Sequence, residues 1–191
     1  MLLFPHRNKQ TPAPVIQVMK QSERFEAAVL VHLDAAYNLA RWLTRDEAGA
    51  EDALQEACIR AFRFFEGQHG ESPKAWFMAI VRNACLDWIK ANRPRALEEP
   101  YDEDAHASPA PHGEPEPATA RASEARWLHA CIAALPHEYR EVIVLRELEE
   151  LSYKEIGAIV GVPLGTVMSR LSRGRDLLQK RLLAAPRRMT S

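Results

Sequence analysis

The sequence predicts an all-α protein made of two small helical domains, and three observations carry that prediction. Apolar residues recur at i, i+3, i+4 and i+7 along most of the chain. Only eight glycines occur in 191 residues, and the alternating Val, Ile and Thr runs that build strands are scarce. The helical pattern is then interrupted by residues 94–122, "PRALEEPYDEDAHASPAPHGEPEPATARA", rich in Pro, Ala and acidic residues. Such a composition buries too little apolar surface to offset the entropy of ordering, so this stretch is expected to be a flexible acidic linker. The resulting division is a flexible extension (1–21), a first domain (22–93), the linker (94–122), a second domain (123–184) and a tail (185–191).

In the first domain, Phe25, Val29, His32/Leu33, Ala36, Ala40 and Leu43 recur at helical spacing. A second stripe holds Ala50, Ala53/Leu54, Ala57/Cys58, Ala61/Phe62 and Phe65. A third helix opens at "ESPKAWF", with Ser72 suited to the N-cap and Pro73 to the first helical position. It should stop before Pro94, because the residue preceding a proline avoids helical geometry. The second domain opens with a helix near 123–134 and another from Pro136 to about Leu148.

Composition excludes several classes. No apolar run reaches the 18 or so residues of a membrane span, since His32 and Asp34 interrupt one candidate and Arg82 and Asn83 another. Pro5 stands where a signal peptide would place its apolar core, so a cytoplasmic location is expected, with no membrane insertion. Cys58, Cys85 and Cys131 are odd in number, far apart and free of any CxxC spacing, which reads as reduced core thiols. No nucleophile–base pair, phosphate loop or metal-ligand spacing is recognisable; neither enzymatic activity nor a cofactor is expected. The net charge of −1 conceals polarity along the chain: residues 94–122 carry −5, and residues 168–188 hold seven Arg or Lys against one Asp. A basic end of this kind suits a polyanion.

The strongest local signal is "LSYKEIGAIVGVPLGTVMSRLSRGRDLLQKRL", residues 151–182. Ser152 and Glu155 are spaced as a capping box, each satisfying a backbone N–H of the other. Gly161 supplies a left-handed end to the short helix, and a second helix follows from near Pro163 to about Leu183. Small residues (Gly157, Ala158) allow two helices to cross closely, and Ile156, Val160, Val162, Val167 and Leu171 anchor them: a helix-turn-helix. The outer face then offers Thr166, Met168, Ser169, Arg170, Ser172, Arg173 and Arg175. Arginine can pair bidentately with guanine or clamp phosphate, and Ser or Thr can bond either, so this face is a candidate DNA reader.

Here the chain resembles bacterial extracytoplasmic-function (ECF) sigma factors. "ALPHEYREVIVLRELEELSYKEIGAIVGVPLGTVMSRLSRGRDLL" resembles their region 4, "AEDALQEACIRAF" their region 2.2, and "AWFMAIVRNACLDWIKANRPR" their regions 2.3 and 2.4. The resemblance implies promoter DNA and core RNA polymerase as partners (the β′ clamp helices and β flap), with an anti-sigma factor as the usual restraint. It places the −35 contacts on Met168, Ser169, Ser172 and Arg173, with Thr166 and Arg170 near phosphate. It places −10 contacts on the helix carrying Trp76, Arg82, Asn83, Lys90 and Arg93, and leaves Asp87 open between a structural and a DNA-proximal role. Polymerase docking falls to Asp52, Gln55 and Glu56, which share one face at i, i+3 and i+4. The acidic linker would thread the polymerase cleft, either as a polyanion mimic or as a plain spacer.

Departures from the family pattern are informative. Met168 sits where Arg or Lys is common, and Ser172 where a bulkier side chain can occur, implying an altered −35 preference or more reliance on phosphate. Lys90 keeps the charge of a usual Arg but loses its fork. Gly157 replaces a usual alanine, which should loosen that helix by up to ~1 kcal/mol. A stand-alone helix-turn-helix activator and a sigma-mimicking adaptor that never touches DNA are the competing readings.

Overall fold

A computed structural model describes residues 14–67, 72–92 and 120–184, and every regular element among them is helical. The chain runs through α1 (Pro14–Ala28), α2 (Leu33–Thr44), α3 (Glu47–Phe64) and α4 (Pro73–Asn92) in the first domain. The second holds α5 (Ala120–Ala133), α6 (His137–Ile143), α7 (Tyr153–Val160) and α8 (Leu164–Leu183). Residue 93, residues 94–119 of the expected linker, the tail 185–191 and residues 68–71 of the loop before α4 lie outside the described residues. The extension expected over 1–21 is helical from Pro14 onward.

α2, α3 and α4 pack against one another around Leu39, Leu43, Phe77, Met78 and Val81, all essentially inaccessible. α3 contributes Ala50, Ala53, Ala57 and Ala61 to this contact, and side chains that small let its backbone approach its neighbours closely. Phe25 of α1 closes the end of the bundle, meeting Phe62 and Phe65 edge-on at centroid distances of 5.3 and 5.4 Å. The apolar stripe from Phe25 to Leu43 is not one helix. A 3-10 turn, Leu30–His32, breaks it, so Val29 is buried and Leu33 is exposed.

The joint between α2 and α3 is local chemistry. Arg45 ends α2 in the left-handed conformation (φ 60°), and Asp46 then caps α3, accepting from the Gly49 N–H at 2.6 Å. Ser72 caps α4, accepting from the Ala75 N–H at 3.2 Å. Trp88 of α4 lies over Gly49: a Cβ there would fall 2.4 Å from the indole. The tryptophan is therefore half-buried against the first turn of α3 rather than sunk in the core.

In the second domain Arg140 is buried and donates to the carbonyls of Ala133 (2.8 Å) and Leu135 (3.3 Å), tying α6 to the end of α5. The helix expected to reach Leu148 changes character at Val144, where residues 144–148 form a π segment. Glu150 then turns left-handed (φ 57°), held by an Arg146 bond to the Leu151 carbonyl at 2.9 Å. The capping box of α7 forms as expected, and Gly161 ends the helix at φ 73°. Gly157 has a packing role that its helix propensity conceals. A Cβ there would meet the Val162 carbonyl at 3.1 Å, so glycine admits the turn and the expected loosening is offset. Gly174 likewise lets α8 lie against Ile143, 3.0 Å from where a Cβ would stand.

Gly49→Ala should destabilise the protein by about 1–3 kcal/mol through overpacking against Trp88, partly offset by better helix propensity. Urea denaturation measures it; an unchanged midpoint would mean the indole swings aside freely.

Candidate nucleic-acid interface

The helix-turn-helix fixes α8 from below. Val167, Leu171 and Gly174 are buried against α6 and α7, so the opposite face must look outward. On that face Met168 is 53% exposed, and Ser169, Ser172 and Arg173 are exposed beside it. Arg173 forms no ion pair with a described residue. Ser169 donates to the Thr166 carbonyl at 3.0 Å. Two of the predicted cations differ. Arg170 is largely covered and pairs with Glu138 at 3.3 Å, while Arg175 pairs with Glu147 at 2.7 Å. They brace α8 against α6 and the π segment, and reach a phosphate only by leaving those carboxylates.

Chemically, this face holds a forked cation, two hydroxyls and a thioether on one side of an exposed helix. The combination suits hydrogen bonding to phosphate or a purine edge, and apolar contact with a thymine methyl.

The second candidate group lies on α4. Asn83 and Lys90 are exposed, and Trp76 is half-buried with its ring 6.5 Å from that of Phe65. Arg93 lies outside the described residues. Arg82, one position before Asn83, points elsewhere: its guanidinium is ion-paired with Glu141 of α6, with Nη2 3.4 Å from Oε2. The side chains are 17% and 1% exposed. Arg82 is thus covered by the second domain, and the structure does not bring it together with Asn83 and Lys90 on one open face.

The third group, Asp52, Gln55 and Glu56, is exposed on α3 as the spacing predicts. It edges a shallow groove between α3 and α4 lined by Asp52, Glu56, Arg60, Asp87 and Trp88. Arg60 occupies the middle, pairing with Glu56 at 2.8 Å and Asp87 at 2.9 Å. Asp87 therefore has a structural partner, and of the acidic pair Asp52 remains the unengaged carboxylate. Cys85 and Cys131 are buried and Cys58 half-buried; burial pushes the Cys85 thiol up to about 12. None is poised as a thiolate. Among the described residues no cluster of His, Cys, Asp and Glu could hold a metal, and no helix is long and apolar enough to cross a membrane.

Sequence reasoning missed the acceptors that join the halves. Glu141 and Glu149 are buried, and Asn38 and Lys74 reach Glu149 from the first domain. A signal existed for Glu141. In "REVIVLREL" it falls at the core spacing of Val144/Leu145, where a lone charge demands a partner.

The Glu155 carboxyl is held below its ordinary value of 4.5, chiefly by the Ser152 hydroxyl and backbone N–H, with Ser72 adding a bond. A lowered folded-state value means stability present above the ordinary value and lost as pH falls through the folded one. Ser152→Ala should consequently lower the melting temperature at pH 7 more than at pH 3; equal losses at both would show that the box carries no charge-dependent stability.

Comparison with known proteins finds the sigma-70 region 2 model over residues 28–95 and the sigma-70 region 4 model over residues 125–178. The chain is 32% identical over 179 residues to the ECF RNA polymerase sigma factor SigW of Bacillus subtilis, covering 87% of this chain and 93% of that one. It is 37% identical over 155 residues to the ECF RNA polymerase sigma factor SigE of Mycolicibacterium smegmatis. That match covers 81% of this chain but 60% of the relative, so the chain spans less than two-thirds of that protein's length. Among solved structures, the sigma factor RpoE of Bartonella quintana, in complex with the anti-sigma factor NepR, is 26% identical. Its TM-score is 0.67, over 86% of this chain and 99% of that one. CnrH, solved with the cytosolic domain of CnrY, is 21% identical with a TM-score of 0.60 over 90% and 97% of the two chains, a likeness of fold.

Proposed function

Because the chain belongs to the ECF RNA polymerase sigma factors, we propose that it is a non-enzymatic, cytoplasmic subunit that brings core RNA polymerase to promoters and assists melting. The observation that carries this reading is the outward face of α8, where Met168, Ser169, Ser172 and Arg173 stand exposed on a braced helix. A recognition helix enters the major groove with such a face, reading base edges while neighbouring groups hold phosphate. Arg173 supplies the fork for a guanine edge, Met168 an apolar tip for a thymine methyl, and the serines adaptable hydrogen bonds. Thr166, Arg170 and Arg175 serve the flanking phosphates, the two arginines exchanging Glu138 and Glu147 for DNA.

At the −10 element the first domain takes a single strand. Asn83 is exposed for a base edge, Lys90 for the backbone, and Trp76 offers a ring for stacking. Arg82 adds a cation there on exchanging Glu141 for DNA, and Arg93 is the further candidate that follows it in sequence. Docking uses Asp52, Gln55 and Glu56 toward arginines on the β′ clamp helices, with the second domain meeting the β flap. Support for restraint by an anti-sigma factor comes from the solved sigma factor RpoE, which is in complex with the anti-sigma factor NepR. The acidic linker serves as the spacer between the two DNA sites.

Run-off transcription with purified core polymerase over a promoter library tests the whole reading. Failure to bind core would remove it, and binding without initiation on any promoter would favour a sigma mimic.

Within that assay Arg173→Ala should cost about 1–3 kcal/mol of −35 discrimination, the worth of one bidentate base contact. Unchanged promoter choice would show that α8 does not read sequence through that residue. Asp52→Arg should weaken competition for core polymerase without altering the far-ultraviolet circular dichroism spectrum. A variant that competes normally would move the docking face elsewhere.

A further inference from the structure

Three polar links cross between the domains. Arg82 of α4 meets Glu141 of α6. Glu149, 7% exposed at its side chain, accepts from Asn38 Nδ2 at 2.6 Å and lies 3.6 Å from Lys74 Nζ, which also donates to the Glu149 carbonyl at 2.8 Å. Ser72, the cap of α4, reaches the Glu155 carboxylate of α7. Beside them the rings of Trp42 and His129 lie 4.2 Å apart, and the buried apolar cluster runs without interruption from one domain into the other. Every one of these contacts covers α2 or the face of α4 that holds Lys74 and Arg82.

We propose that the second domain closes over the first as a clamp, with Glu141 and Glu149 holding Arg82 and Lys74 as resident anions that promoter phosphate must replace. The Arg82 arm rests on the −10 assignment made above; the closure itself does not. A guanidinium fork accommodates one planar carboxylate or one phosphate, and the side chain of Arg82 is taken. Ion pairs this deeply buried gain little over their hydrated, separated partners, because desolvation cancels most of the attraction. The closed state is therefore held by geometry and apolar contact, with the charges selecting which faces meet. Removing one charge leaves its partner buried and unpaired, which drives the domains apart.

The test uses the full chain. Small-angle X-ray scattering gives the radius of gyration of wild type, Glu141→Gln, Glu149→Gln and Arg82→Gln. Fluorescence anisotropy gives affinity for the −10 strand, as a single-stranded oligonucleotide, of a promoter the protein transcribes. All three variants should expand relative to wild type. Glu141→Gln should bind the strand about tenfold more tightly, a change of ~1.4 kcal/mol, whereas Arg82→Gln, equally open, should gain nothing. Binding to a −35 duplex monitors the fold of the second domain; if Glu141→Gln loses it, Glu149→Gln decides the question. Wild-type dimensions in both glutamate variants overturn the clamp. Expansion of Glu141→Gln and Arg82→Gln with identical strand affinities supports the clamp and removes Arg82 from the −10 site.

Discussion

A carboxylate 1% exposed inside a helical domain needs a cation, and for Glu141 that cation comes from the other half of the chain. The pairing with Arg82 is the constraint on which the relation of the two domains depends. It sits amid Val142, Ile143, Val144 and Leu145, all buried, so α6 cannot turn Glu141 to water without exposing them. Its neighbour Arg140 is buried too, yet it looks inward to the end of α5. Two adjacent charges thus divide the work, one holding the second domain together and the other holding it to the first. The π segment that follows extends the arrangement, because the irregular turn at Glu149 and Glu150 brings a second acid against Asn38 and Lys74.

What could be read from the sequence was what local chemistry decides. Ser152 with Glu155, Gly161 in the left-handed region and the start of α8 beyond Pro163 follow from groups a few residues apart. So does the exposure of Asp52, Gln55 and Glu56, since helical periodicity alone assigns that face. The features that escaped have causes distant in sequence or unmarked by residue type. Arg82 looks like any surface arginine until its partner 59 residues on is brought beside it. Arg170 and Arg175 belong to a basic run, and nothing in the run announces that Glu138 and Glu147 will meet them. Arg45 adopts a left-handed conformation without being glycine, and the 3-10 turn at Leu30–His32 hides inside a continuous apolar stripe.

The membership of this chain among ECF sigma factors explains why such economy of charge matters. A protein that handles nucleic acid at two separate faces must carry cations on both, and cations left bare bind polyanions indiscriminately. Among the described cations proposed for the two DNA faces, intramolecular carboxylates occupy Arg82, Arg170 and Arg175, leaving Arg173 and Lys90 open. The net charge near zero reflects this internal matching as much as the acidic stretch between the domains.

Gly174 gives α8 a property that reaches beyond this chain's own promoters. Its missing side chain seats the helix on Ile143, and Val167 and Leu171 complete the seat, while the outer face takes no part in it. Foundation and lettering are separate on the same helix. Residues 168, 169, 172 and 173 can be exchanged without disturbing that seat, so on the proposed reading α8 is a cassette for orthogonal transcription switches in which only the outward alphabet changes.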